Sequence, residues 1–220
     1  MKLKFWKTGV LSITTSMTKN VIFDLGGVLI RFQPKEAIHQ LGLSKEKEDA
    51  LYSAIFLDPL WLEVDKGVYQ DVSETLDLYL EKYPSLQKEI KMFFHPGWED
   101  MFEILNEGRQ FLLDLKEKGY HCYILSNYGV EAFVYTEKRY KEVFGLFDGK
   151  VISGRIQMIK PEERIFQYLI DTYDLKKEEC VLFDDTKENV DASNTFGIHA
   201  FVYQNAKDAM HAIQSLDAEK

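Results

Sequence analysis

The stretch that most constrains this chain is Asn20-Val21-Ile22-Phe23-Asp24-Leu25-Gly26-Gly27-Val28-Leu29-Ile30. A short apolar run that stops at an acid and then two glycines reads as a buried strand, Val21 to Asp24, whose end turns sharply. A carboxylate at the C-terminal end of a central strand lies where open α/β sheets bind their ligands, and Gly26 and Gly27 let the backbone pass close to whatever binds. Asp24 is therefore a candidate nucleophile or metal ligand. The alternative is a plain strand-end acid that hydrogen-bonds the turn, and this segment alone leaves both open.

After that strand the chain changes character. Between Gln33 and about Trp98, apolar residues recur at helical spacing in Lys35–Gln40, Lys45–Phe56, Val72–Lys82 and Leu86–Phe94. Leu76, Leu80 and Tyr83 form one such stripe, with Ser73 as its candidate N-cap. Asp58 to Trp61 and Glu63 to Tyr69 read as loops able to face the site, in which Trp61 and Tyr69 serve either as core or as rings that stack on a sugar. Strand-turn-helix rhythm then returns. Asn106 caps a helix that turns Phe111, Leu112 and Leu115 inward and stops at Gly119, and Tyr120 to Leu125 is a strand that runs into Ser126-Asn127. Val151-Ile152 is a short strand, and Lys160-Pro161 opens a helix with Ile165, Phe166, Leu169, Ile170 and Tyr173 on one side. Cys180 to Phe183 is a strand ending in Asp184-Asp185; a helix from about Glu188 stops at Gly197, Ala200 to Tyr203 is a strand, and Lys207 to Leu216 is a closing helix. Strands that alternate with helices imply a parallel sheet with right-handed crossovers.

Composition fits that α/β reading and limits the partners. With 220 residues, 45% of them hydrophobic, the chain is long enough for a packed core with an insertion. A formal net charge of -9 argues against nucleic acid or an anionic membrane surface as partner. No run reaches the length of a membrane span. Cys122 and Cys180 lie in apolar runs without metal-ligand spacing, which suits buried free thiols in a reducing, cytoplasmic setting. Residues 1–19 read as a leader outside the fold, with Met17 a candidate start, since the broken apolar stretch there is too short for a secretory signal. The division expected is 20–32 and 99–220 for the α/β core and 33–98 for the helical insertion.

Three strands thus end in polar groups: Asp24, Ser126-Asn127 and Asp184-Asp185. In a parallel sheet those ends share one edge. Carboxylates gathered there repel one another unless a cation joins them, and oxygen-only ligands suit Mg²⁺, which bridges to phosphate oxygens. Ser126, Asn127 and the Lys160 ammonium add donors and positive charge for an anionic group. Each of these residues also has an ordinary structural use, and it is their joint order on strand ends that favours a site.

The same four stretches, Phe23 to Leu29, Leu125-Ser126-Asn127, Lys160-Pro161, and Phe183-Asp184-Asp185 with Asn189, resemble the motifs of the haloacid dehalogenase-like (HAD) hydrolases. The resemblance spans about residues 20 to 204. It implies a Rossmann-like core, a small helical cap of the subfamily I kind between 33 and 98, and Asp24 as a nucleophile that forms an aspartyl-phosphate. It also implies Mg²⁺ held by Asp24, the Gly26 carbonyl and the Asp184-Asp185 pair, with Lys160 as a catalytic and substrate-binding cation beside Ser126 and Asn127. The expected activity is Mg²⁺-dependent hydrolysis of a small phosphorylated metabolite. Asp24-Leu25-Gly26, His95-Pro96-Gly97-Trp98 and Lys160-Pro161-Glu162 further resemble the group that includes a bacterial α-D-glucose-1-phosphate phosphatase. One departure stands out: family phosphatases carry a second Asp two residues after the nucleophile as general acid and base, and here that place is Gly26. Three consequences are open: a substitute acid from the cap, a leaving group that needs little help, or weak activity. His95, beside the hinge, is the histidine to test as a stand-in acid. Two rival readings remain. A metal-independent dehalogenase is disfavoured by Asp184-Asp185, and a catalytically impaired fold that binds a phosphorylated ligand is prompted by Gly26.

Overall fold

A computed structural model of the chain describes residues 17–70, 72–95 and 98–218. Most of the expected leader, the Ser73 side chain and Pro96-Gly97 lie outside the described residues. In chain order the elements are β1 (Asn20–Phe23), β2 (Ile30–Phe32), α1 (Pro34–His39), α2 (Lys45–Phe56), α3 (Pro59–Asp65), α4 (Val72–Lys82) and α5 (Gln87–Phe93). There follow β3 (Phe102–Ile104), α6 (Asn106–Glu117), β4 (His121–Ser126), α7 (Val130–Arg139), α8 (Lys141–Phe144), β5 (Gly149–Ile152) and α9 (Ser153–Ile156). The chain closes with α10 (Glu163–Tyr173), β6 (Cys180–Asp184), α11 (Lys187–Phe196), β7 (His199–Val202) and α12 (Ala206–Ala218). Among the described residues no helix is long and apolar enough to cross a membrane.

The main sheet is parallel with strand order β5-β4-β1-β6-β7, so the opening apolar run is its central strand. Alternation along the strands sends side chains to two faces. Val21 and Phe23 point to one core with Phe111, Phe183 and Ile213, while Ile22 points to the other with Phe166, Leu169 and Leu182. The ring of Phe111 lies 5.3 Å from Phe23 and 5.6 Å from Phe183. Helices α6 and α12 cover the first face and α10 and α11 the second, the three-layer arrangement of α/β folds. On α10 the expected stripe is buried at Ile165, Phe166, Leu169 and Ile170, each worth about 1.5–3 kcal/mol of transfer free energy.

Several boundaries differ from the sequence reading, each for a local reason. Leu105, not Asn106, stands at the N-cap of α6, because the Leu105 N–H is drawn to the Leu29 carbonyl. Helix α10 begins at Glu163 rather than at Pro161: Lys160 and Pro161 sit in a turn closed by Glu162 N–H on the Ile159 carbonyl. The stretch around Trp61, expected as loop, is helix α3, started by the Asp58 carboxylate accepting from Leu60 N–H at 2.9 Å with Pro59 at the first position. Thr18 and Lys19 join the folded body, since Lys19 N–H donates to the Glu179 carbonyl and its own carbonyl accepts from His121 N–H, both at 2.9 Å.

The helical stretch leaves and re-enters through a short antiparallel ribbon, β2 on β3, in which Phe32 pairs with Phe102 and their rings stack at 5.2 Å. Within it Leu51, Ile55, Tyr79, Ile90 and Phe93 are buried, in one continuous cluster with Phe23 and Phe111 of the sheet layer. Buried Asp58 ties it together: besides capping α3, it takes Lys82 Nζ at 2.6 Å and the Tyr83 hydroxyl. Burial would raise its carboxyl, but the bonds from Lys82, Tyr83 and Leu60 hold it below the usual range.

Candidate active site

The turn after β1 sets the floor of the site. Asp24 N–H donates to the Phe183 carbonyl at 2.9 Å, and Ile30 and Leu29 fold back to donate to the Leu25 carbonyl at 2.7 and 2.9 Å. Gly27 has φ +65, and a Cβ there would fall 2.3 Å from Asp185 Oδ2, so only glycine lets this turn pack against that carboxylate. Helix α6 presses on the other side of the turn, where a Cβ on Gly108 would lie 2.1 Å from the Val28 carbonyl oxygen.

At the strand ends the expected residues converge. Lys160 Nζ lies 2.9 Å from Asp24 Oδ1 and 2.6 Å from Asp184 Oδ2, and all three side chains are buried. Burial alone would lower the Lys160 ammonium, but the charges of Asp24 and Asp184 outweigh it and hold the lysine above its ordinary value, hence charged. Burial, with the nearby Asp184 charge, pushes Asp24 up to about 6, against the pull of Lys160 and a hydrogen bond from Ser126. Asp184 is clasped from all sides: Thr186 N–H donates to it at 2.9 Å, and Asn189 Nδ2 reaches its two oxygens at 3.0 and 3.2 Å. Asp185 stands at the mouth, exposed, with the Thr186 hydroxyl at 3.1 Å; the protein on its inner side and the Asp184 charge hold it above its usual value.

Asp24, Asp184 and Asp185 each offer an oxygen, and these lie within 4.8 Å of one another. One lysine against three carboxylates leaves the cluster net anionic, and an oxygen-only donor set of this size suits Mg²⁺. Because Asp184 is already clasped by nitrogen donors, more open coordination capacity remains on Asp24 and Asp185. Gly26 borders the same space.

Asn127 behaves differently from the simple anion donor expected. Its Nδ2 donates to the Lys160 carbonyl at 2.9 Å and its Oδ1 accepts from Lys160 N–H at 2.8 Å. The side chain therefore buttons the lysine turn to the end of β4 and keeps one Nδ2 hydrogen for other use.

These groups form the floor of a cavity of about 230 Å³. Its upper wall comes from the inserted helices and the ribbon: Phe32, Trp61, Tyr69, Phe94 and Trp98, with Tyr128 from the core. Trp61 packs on Phe32 and Phe56 and, like Tyr69, lines the cavity. His95 does not face it; the histidine borders a separate surface cavity with Gln33, Glu36 and Asp100, which removes it as a stand-in acid. Sequence reasoning put Glu63 to Tyr69 in a stretch able to face the site but did not single out Asp65, the last residue of α3, which lines the wall facing Asp24. Asp58-Pro59, an N-cap followed by proline, was the signal for the helix that carries it.

Comparison with known proteins identifies the family. Residues 18–197 match the family model of haloacid dehalogenase-like hydrolases. The chain is a haloacid dehalogenase-like hydrolase. It is 24% identical over 212 residues to a D-ribitol-5-phosphate phosphatase of Bacteroides thetaiotaomicron, covering 87% of this chain and 95% of that protein. It is also 24% identical over 187 residues to a sesquiterpene phosphatase of Aspergillus oryzae, covering 82% and 87%. Against the bifunctional epoxide hydrolase 2 of Mus musculus, the chain spans 20% of the relative's length, at 27% identity. Among solved structures, a HAD family enzyme of Bacteroides thetaiotaomicron in complex with magnesium and inorganic phosphate superposes with a TM-score of 0.67 at 27% identity, covering 89% of this chain and 98% of that one. Membership of the family makes this chain a hydrolase.

Proposed function

We propose that this HAD hydrolase is a Mg²⁺-dependent phosphatase that works through an aspartyl-phosphate on Asp24, with residues 33–98 acting as its cap. The observation that carries the reading is the buried Lys160 ammonium between Asp24 and Asp184, on the floor of a cavity deep enough for a small ester. In the first step an Asp24 carboxylate oxygen attacks phosphorus and the bond to the alcohol oxygen breaks. In the second, water attacks the same phosphorus and returns Asp24 with release of inorganic phosphate. Lys160 offsets the repulsion between Asp24 and the incoming phosphate, and the Ser126 hydroxyl and the remaining Asn127 N–H are donors for phosphoryl oxygens. Asp24, the Gly26 carbonyl and Asp185, with Asp184 behind, would hold Mg²⁺, which when bound supplies Lewis-acid stabilisation of the phosphoryl charge.

The alcohol half is chosen by the cap. Aromatic walls favour a ring-bearing or apolar alcohol over an open-chain polyol, because rings stack and apolar surface is buried there while hydroxyls find fewer partners. A sugar 1-phosphate and a terpenyl phosphate both fit that description, and a sesquiterpene phosphatase among the relatives supports the second. The test is phosphate release from a panel of sugar 1-phosphates, sugar 6-phosphates, an open-chain polyol phosphate and a terpenyl phosphate, with and without Mg²⁺, beside Asp24→Asn. Turnover that needs both Mg²⁺ and Asp24 is expected. Halide release without metal would instead support a dehalogenase, and ligand binding without turnover an impaired fold.

A further inference from the structure

The alcohol needs a proton that the floor of the site does not supply. An alkoxide leaves phosphorus slowly unless it is protonated as the bond breaks, and a positioned acid is worth about 10²–10⁴ in rate. Asp24 is spent as nucleophile, Asp184 is clasped by Lys160, Asn189 and Thr186, and Gly26 has no side chain. The wall across the cavity carries Asp65. We propose that Asp65 is the catalytic acid and base: it gives its proton to the departing alcohol oxygen, then as carboxylate takes a proton from the water that attacks the aspartyl-phosphate. Protons balance over the cycle, since the one lost to the alcohol is regained from water. The proposal rests on the phosphatase reading above.

The position of Asp65 is fixed by the core, not only by its own helix. Ser153 Oγ donates to the Asp65 carbonyl at 2.5 Å while accepting Tyr128 N–H at 2.8 Å. Two residues on, Gly67 has φ +74, and a Cβ there would meet the Gly154 carbonyl oxygen at 1.9 Å. Gln157 Nε2 donates to the Gly67 carbonyl at 3.3 Å, and Lys66 Nζ lies 3.7 Å from Glu162 Oε1. The Gly129 amide faces the Asp65 carboxylate itself. The C-terminal end of α3 is thus registered on the loop that follows β4 and on α9, beside the turn that aims Lys160. That is the placement a reacting group needs, within a fraction of an ångström of its target.

The chemistry of the group agrees with the placement. Burial, eased by the Gly129 amide and reinforced by the Asp24 charge, pushes the Asp65 carboxyl up to about 8. It therefore holds a proton at neutral pH, as a donor must, and the Gly129 amide stabilises the anion left after transfer. Glu131, in the first turn of α7, also lines the cavity and is the control for the experiment.

The experiment compares Asp65→Asn with the unchanged protein, both with Mg²⁺, on two phosphate esters that differ in leaving group: an unactivated alkyl phosphate and p-nitrophenyl phosphate. Asp65→Asn is expected to lower kcat/KM for the alkyl ester by about 10²–10⁴. With p-nitrophenyl phosphate, whose leaving group needs no proton, it is expected to give a rapid burst of about one nitrophenolate per protein and then slow turnover, because the intermediate lacks its base. Asp65→Glu, which keeps the acid on a longer arm, is expected to recover part of the alkyl-ester rate. Equal losses on both esters in the first turnover, or no loss on either, would overturn the proposal. So would a leaving-group-dependent loss in Glu131→Gln that Asp65→Asn lacks. A protein that hydrolyses neither ester, with Asp24→Asn no different, would instead sink the phosphatase reading itself.

Discussion

Lys160 lies between Asp24 and Asp184 with almost no access to water, and its value comes from matching charges that could not otherwise be buried. Removing one partner of such a group leaves the others uncompensated, a loss of about 3–5 kcal/mol. Lys160→Met is thus expected to lower the unfolding free energy of metal-free protein by that amount, and added Mg²⁺ to restore part of it by replacing the missing charge. Equilibrium unfolding with and without Mg²⁺ measures both. Across the cavity, Asp65 keeps its proton to a far higher pH than an ordinary surface acid. Its carboxyl is raised to about 8 by burial and by Asp24, while the Gly129 amide eases the shift and Lys160 and Glu131 stand around the same space. A raised acid is competent below its folded pKa and lost above it. Alkyl-ester turnover should hold toward neutral pH and fall on the basic side with a limb at about 8, or lower once Mg²⁺ screens Asp24, and Asp65→Asn should erase that limb. Gly26 offers the complementary change. Its backbone is not in the left-handed region, and a Cβ would meet nothing closer than Asp24 Oδ2 at 3.8 Å. Gly26→Asp is therefore expected to fold normally and, in an Asp65→Asn background, to return measurable alkyl-ester turnover, read as phosphate release.

Helix α3 shows how a short element can carry much of a site and still be hard to read. It has seven residues, fewer than the two full turns over which a 3.6-residue period becomes visible, and it lies between Asp58-Pro59 and Gly67, both ordinary turn signals. The strands β2 and β3 were invisible for another reason: each is three residues long, and Ile30 pairs with Ile104. Long, periodic elements such as α2 and α6 were legible from spacing. The start of α10 was misplaced because Pro161 matched a helix signal, whereas the clasp of Asn127 on the Lys160 backbone demands a turn before the helix begins. Two changes test the element itself. Asp58→Ala removes the N-cap and the anchor for Lys82, and should cost about 1–2 kcal/mol. Because the Asp58 carboxyl is held low, that contribution is present above about pH 4 and fades as pH falls through the lowered value, so the gap between variant and unchanged protein should close in acid. Thermal unfolding across pH follows it. Gly67→Ala cannot keep φ +74 without strain, and its Cβ would strike the Gly154 carbonyl, so the end of α3 must lift from the core. A displacement of about 1 Å is enough for a loss of about 10² in turnover, with the unfolding of the β-sheet core little changed.

Across the whole molecule, the floor of the site belongs to the sheet and the wall to the helices inserted between β2 and β3, so a ligand held in the cavity touches both. The floor was legible because a parallel sheet brings Asp24, Ser126 and Asp184 to one edge whatever lies between them in sequence. The wall was legible only at Trp61 and Tyr69, because the docking of α3 on Ser153 and Gly154 depends on contacts almost ninety residues apart. This division yields a test that separates an enzyme from a fold that only binds. Mg²⁺ with inorganic phosphate should stabilise the protein by mass action, about 2.7 kcal/mol at a hundredfold excess over Kd. Asp185→Asn, which removes open coordination capacity while sparing the clasped Asp184, should lose most of the Mg²⁺ part of that gain. Chelation should abolish both the stabilisation and the release of phosphate from an ester, and Mg²⁺ should restore both together. Stabilisation that returns with Mg²⁺ while turnover does not, on the best ester of the panel, would mean that the cluster holds its ligands without spending Asp24 on chemistry. Co-recovery ties the metal held by the carboxylate cluster to the release of phosphate.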